Sequence, residues 1–146
     1  MAPVEGRLRV LVAGTADAME AVRAAVRDDA ELVYAYSVTE ALERCDEAAF
    51  DVIACNVRFD ESRMFEFLQA VMERKLHARL VSFRVDERPL ARSSGSAIRN
   101  ALEALGVQRF VDLSQIGDEY GDAAALESLR KVILEEAFTP PAPSAT

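Results

Sequence analysis

The stretch Phe50-Asp51-Val52-Ile53-Ala54-Cys55-Asn56 decides the fold. From Val52 to Cys55 it is apolar without a break, and a strand that is apolar on both faces belongs in the middle of a sheet covered on both sides. Phe50 to Cys55 therefore reads as a buried central parallel strand, with Asn56 as the first polar group at its C-terminal end. The identity of that group matters chemically. A carboxylate there can attack a phosphoryl donor and hold a divalent cation. The Asn56 carboxamide does neither well, because its nitrogen is a poor nucleophile and its oxygen carries no net charge.

Working outward, apolar runs alternate with helical stripes. Leu8 to Ala13 is a strand-length run closed by Gly14 and Thr15. From Asp17 the period becomes helical, with Met19, Val22 and Val26 on one face, until about Asp28-Asp29. Glu31 to Tyr36 is a second strand, and Thr39 opens a short helix through Ala41, Leu42 and Cys45. After the central strand, the spacing of Met64, Leu68, Val71 and Met72 predicts a helix from about Glu61 to Lys75. Arg79 to Val85 is a fourth strand, and Asp86 to Ser96 a long charged loop. Ile98, Ala101, Leu102 and Leu105 form a fourth helix stripe that Gly106 ends. Val107 to Leu113 is the fifth strand, and Asp122 to about Phe138 carries Leu126, Leu129 and Ile133 on a last helix. Thr139 to Thr146, with three prolines, reads as a disordered tail.

Strands alternating with helices imply right-handed crossovers and a three-layer α/β/α sandwich around a five-stranded parallel sheet. A dinucleotide-binding order needs a glycine fingerprint after the first strand. Here Gly14 stands alone in Ala13-Gly14-Thr15-Ala16-Asp17, which favours the flavodoxin-like order 2-1-3-4-5.

Composition bounds the function. A chain of 146 residues, 51% hydrophobic, fills one core. The formal charge of −8 argues against sequence-independent binding to nucleic acid or an anionic membrane, both of which need a cationic face. No segment approaches the roughly 20 apolar residues of a membrane span, and Met1 to Gly6 lacks the apolar core of a signal peptide, so a cytoplasmic protein is expected. Cys45, Cys55 and the lone His77 make no zinc cage of their own, and no metal or other cofactor is expected.

Over residues 7–138 the chain resembles the receiver domain of two-component response regulators. The likeness rests on the order of elements and on local phrases: Leu8 to Ala13; Ser37-Val38-Thr39-Glu40-Ala41-Leu42; Phe50 to Asn56 leading into Met64-Phe65-Glu66-Phe67-Leu68; and Gly106-Val107-Gln108-Arg109-Phe110-Val111. The resemblance implies a phosphoacceptor aspartate where Asn56 stands, and acidic cation ligands where Gly14 and Thr15 stand. It implies a Ser or Thr switch residue near Phe83 or Arg84, a role left to Ser82 only by a slip of register. It implies a lysine and proline where Leu113 and Ser114 follow the fifth strand. These departures imply a degenerate receiver, or pseudo-receiver: a non-catalytic signalling module that binds protein partners without phosphorylation. Receivers commonly use the face of the fourth helix, fifth strand and last helix, so a homodimer through that face is expected.

Other residues keep two readings. Asp17, Asp60 and Glu61 are acids near the strand ends, or ordinary first-turn helix residues. Arg58 and Arg84 are cations for an anion or partner carboxylate, or solvated arginines. Arg92-Ser93-Ser94-Gly95-Ser96 precedes a helix, where Ser93, Ser94 and Ser96 either cradle a phosphate or cap the helix. That segment and the strand-end crevice support the alternative, a domain binding a small molecule, nucleotide or anion, with a possible enzymatic role. Cys55 is a small core residue or an oxidant sensor beside Asn56.

Overall fold

The alternation of apolar runs and helical stripes folds as its periods dictate. The structure, a computed structural model, describes residues 7–85, 95–107 and 109–135. In chain order these form β1 (Leu8–Ala13), α1 (Ala16–Val26), β2 (Ala30–Ala35), α2 (Val38–Glu47), β3 (Val52–Asn56), α3 (Met64–Glu73), β4 (Arg79–Arg84), α4 (Gly95–Leu105), β5 (Arg109–Asp112), α5 (Leu113–Tyr120) and α6 (Asp122–Arg130). All strand pairs are parallel and the order is β2-β1-β3-β4-β5, the flavodoxin-like order expected from sequence.

Strand alternation divides the core in two. Val10, Val12, Val52, Ala54, Val81 and Phe83 face one layer, where they meet Val22 of α1 and Leu129 of α6. Leu11, Ile53 and Cys55 face the other, against Phe67 and Leu68 of α3 and Leu102 of α4. Every residue of β3 is buried, the apolar run Val52 to Cys55 and the polar Asn56 at its end alike. Each fully buried Leu, Phe or Val contributes roughly 1.5–3 kcal/mol, so this two-sided burial dominates the stability.

Polar residues set the helix ends. Thr15 Oγ1 accepts from Ala18 N at 3.3 Å and caps α1. Ser37 Oγ accepts from Glu40 N at 3.1 Å, while Glu40 Oε1 accepts from Tyr36 N at 2.9 Å; this reciprocal cap starts α2 at Val38 rather than Thr39. Gly106, at φ 110°, ends α4 as expected.

Other boundaries differ. The helix predicted from Glu61 begins at Met64, because Asp60 (φ 49°) and Glu61 (φ 56°) take left-handed backbone in the turn Phe59–Ser62. Leu113 is not a strand residue: Asp112 Oδ1 accepts from Gln115 N at 3.1 Å and opens α5, in a stretch whose sequence suggests only a loop. The last helix stops at Arg130, followed by a π turn at Lys131–Glu135. The expected domain end at 138, the tail 139–146 and most of the loop 86–96 lie outside the described residues, although Gly95 and Ser96 already belong to α4.

Candidate functional site

The C-terminal ends of β1, β3, β4 and β5 meet at one edge, and the packing there begins with Gly14. A Cβ built on Gly14 would lie 2.9 Å from Asn56 Cβ and 2.8 Å from Ala18 Cβ, distances no real Cβ tolerates. Gly14 is what lets α1 close onto the end of β3, and its position holds no acidic side chain. Thr15 is committed to the α1 cap.

Asn56 is 1% exposed, and its Oδ1 accepts from Arg58 N at 2.7 Å. This is an Asx turn, in which a side-chain carbonyl satisfies the backbone two residues on. The next residue is tied to β4, Val57 N donating to Phe83 O at 3.0 Å. Arg58 itself is exposed on the turn.

The register answers the switch-residue question geometrically. Asn56 pairs with Phe83 and Cys55 with Ser82. Phe83 is fully buried in the layer of α1 and α6, whereas Ser82 faces the opposite layer and donates its hydroxyl to Met64 Sδ at 2.9 Å. No slip of register brings Ser82 beside Asn56.

Arg84 overturns the expectation of a solvated arginine. It is 2% exposed and pairs in register with Asp112, itself 4% exposed. Nε donates to Oδ1 at 3.2 Å and Nη2 to Oδ2 at 2.6 Å, a fork-to-fork ion pair. Because Asp112 Oδ1 also caps α5, one carboxylate joins β4, β5 and the helix that follows. Asp112 escaped the sequence reading. Its signal was present, an acid at the start of a helix with the cap spacing to Gln115, but the apolar run around it reads as strand.

The other acids do not gather at Asn56 among the described residues. Asp60 is not a first-turn residue of the helix after it: its Oδ2 accepts from Val38 N at 2.8 Å, at the start of α2, and from Arg63 Nη1 at 3.3 Å. The left-handed turn swings it there, at roughly 1–2 kcal/mol per left-handed residue. Phe59 anchors the turn, packing edge-on against Phe67 with ring centroids 5.2 Å apart. Glu61 and Asp17 are exposed. Arg63 also grips Glu66, and this hydrogen bond holds the Glu66 carboxyl below its ordinary value. Among the described residues no cluster of His, Cys, Asp and Glu is arranged to hold a metal ion.

Burial raises the Cys45 thiol to about 11, outweighing the opposing pull of Arg74, and pushes the Cys55 thiol well above its ordinary value. Cys55 is fully buried and burial favours the protonated thiol at both positions, which disfavours the oxidant-sensor reading of Cys55. Beside Leu113, a cleft of about 440 Å³ opens between α1, α5 and α6. Its described walls carry Asp17, Glu20, Asp118 and Asp122 and no cation, which disfavours anions. Ser93 and Ser94 lie outside the described residues, as does the Ser96 side chain, so the phosphate-cradle reading has no geometry here. On α4, Leu102 is buried while Ala97, Ala101 and Ala104 are exposed. No helix among the described residues is long and apolar enough to cross a membrane.

No protein-family model matches the chain, and no curated protein matches it. Solved structures do. The chain superposes on a response regulator from Hahella chejuensis with a TM-score of 0.68 at 17% identity, over 94% of this chain and 99% of that one. The chemotaxis response regulator CheY4 of Vibrio cholerae gives 0.60 at 21% identity, over 86% and 98%. The receiver domain of the Francisella response regulator 1452 gives 0.61 at 13% identity, over 91% and 100%. At these identities the likeness establishes the fold, that of a response-regulator receiver domain.

Proposed function

We propose that the chain is a receiver-type signalling module that works without aspartyl phosphate, by binding protein partners. The observation that carries this is the end of β3. Asn56 is an amide, it is 1% exposed, its oxygen is committed to Arg58 N, and Gly14 packs where a cation ligand would have to stand. Phosphoryl transfer to a carboxylate needs the nucleophile, a cation to neutralise the phosphoryl oxygens and an open approach. Among the described residues the edge offers no carboxylate at Asn56, no grouped cation ligands and no open approach to that side chain. Phe83 and Leu113 fill the neighbouring positions with apolar bulk, and the Arg84–Asp112 pair fastens β4 to β5. The same proposal takes the role to be non-enzymatic and cytoplasmic.

The test is incubation of the purified protein with acetyl phosphate and Mg²⁺, followed by intact mass and by amide NMR with beryllofluoride. The expected result is an unchanged mass and unmoved signals for Gly14, Asn56 and Phe83. A single added phosphoryl group, or shifts clustered at those residues, refutes the reading. The face of α4, β5 and α6 is the proposed homodimer contact, where exposed Ala97, Ala101 and Ala104 allow close helix approach. A monomeric mass by sedimentation at high concentration refutes that contact alone.

A further inference from the structure

At the opposite end of the sheet from Asn56, the loops leading into β3 and β4 enclose a cavity of about 190 Å³. Its floor is apolar, with the buried Phe50 and Ile53 and the half-buried Ala48 and Ala78; Lys75 and His77 line its mouth. Of the two acids that flank the lining residues 48–50, Asp51 is turned away, its Oδ2 accepting from Arg9 N at 2.8 Å, and Glu47 lies 3.6 Å from Arg44 Nη1.

Lys75 stands where a glycine is the ordinary choice. It follows α3 with φ 54°, and its N–H returns to Met72 O at 3.1 Å. The matching position after α4 is Gly106, at φ 110°, with its N–H returning to Leu102 O at 3.0 Å. The chain thus closes one helix with the residue that adopts left-handed backbone freely and the other with a side chain that resists it. Arg27 closes α1 with the same left-handed φ, 51°, so what singles out Lys75 is its place in the lining of an apolar cavity, where its ammonium and the His77 imidazole are the basic groups at hand.

We infer that this cavity is a binding site for a small apolar carboxylate, an aromatic or short branched acid whose body fills the space over Phe50 and Ile53 and whose carboxylate meets Lys75 and His77. The size suits that class, since a dry apolar cavity of roughly 150 Å³ accepts a benzene ring. The sign suits it too: apolar walls strengthen an ammonium–carboxylate contact at their mouth, and a neutral ligand of the same shape lacks that contact.

Benzoate is the probe, with benzyl alcohol as its neutral counterpart, titrated into labelled wild-type protein, Lys75→Gly and Ala78→Leu. Lys75→Gly removes the ammonium at a position whose backbone glycine accepts, so the fold persists. Millimolar benzoate is expected to shift the amide signals of Phe50, Leu76 and Ala78 in the wild type. Lys75→Gly is expected to weaken benzoate by roughly tenfold while leaving benzyl alcohol unchanged. Ala78→Leu, which fills the cavity, is expected to abolish the shifts with both probes. Unmoved signals in the wild type, equal benzoate affinity in Lys75→Gly, or undiminished binding in Ala78→Leu each overturns the assignment.

Discussion

Removing the Asp112 carboxylate tests the strand-end geometry most directly. In Asp112→Ala the Arg84 guanidinium, 2% exposed, loses both hydrogen bonds of the fork, and α5 loses its cap at Gln115 N. Breaking one side of a buried ion pair costs about 3–5 kcal/mol, and loss of a cap about 1 kcal/mol. Against a typical total stability of about 5–15 kcal/mol, that is about a quarter of the fold or more. Near this chain length each kcal/mol moves Tm by about 2–4 °C, so a fall of roughly 10–20 °C is expected. Urea unfolding followed by circular dichroism reads the loss as a shift of midpoint at constant slope. Asp112→Asn separates the two contributions: its carbonyl still caps α5, so it should recover about 1 kcal/mol relative to alanine. The double change Arg84→Met with Asp112→Leu removes both charges together and should fall below wild type by only the lost cap, about 1 kcal/mol, since apolar replacements of buried pairs are often neutral. A loss below about 1 kcal/mol in Asp112→Ala, or a double variant as unstable as the single one, would refute this account of the edge.

Gly14→Ala should destabilise by about 1–3 kcal/mol in the same urea assay, because its Cβ meets Asn56 and Ala18 at under 3 Å; a neutral result means the edge relaxes freely. Asn56→Asp should remain unphosphorylated by acetyl phosphate, since it restores a carboxylate without cation ligands or access; uptake of a phosphoryl group would show that the pocket needs only its nucleophile. Glu61→Gly should gain about 0.5–1 kcal/mol by relieving the left-handed backbone, and a loss would assign that side chain a role no contact here explains. For Cys45 the folded thiol titrates near 11 against an ordinary 9.0, so between those values the folded state holds the proton more tightly. Its contribution to stability is therefore complete below pH 9 and declines toward pH 11, and alkylation of the folded protein should stay slow until the upper end of that range.

The sheet was legible because each strand announces itself by hydropathy. Val52 to Cys55 is apolar on both faces and took the centre, and Gly14 without companion glycines excluded the dinucleotide order. The edge was legible residue by residue but not in its pairings. Nothing local in Arg84 or Asp112 says that strands distant in sequence will set them opposite each other and bury both. Asp60 was misplaced for a related reason. An acid shortly before an apolar stripe reads as a first-turn residue, but a left-handed turn, which no glycine advertises, delivers it to α2 instead. Leu113 went to the strand because one apolar run crosses β5 and the first turn of α5, and only the cap at Asp112 divides them.

Two acids at this edge, Asp112 and Asp60, have their charge met by the fold itself. A receiver that binds Mg²⁺ keeps several carboxylates close together, a cluster held against its own repulsion by the metal. Here two of the strand-end acids have donors supplied by the fold: Asp112 has Arg84 and Gln115 N, while Asp60 has Val38 N and Arg63. The partners come from different elements, so satisfying one acid fixes the position of another part of the edge. Asp112 ties β4 to β5 and α5, and Asp60 ties the turn after β3 to α2. An edge fastened from both sides by such contacts has little freedom to take a second arrangement, because moving any one element strands a buried or half-buried charge.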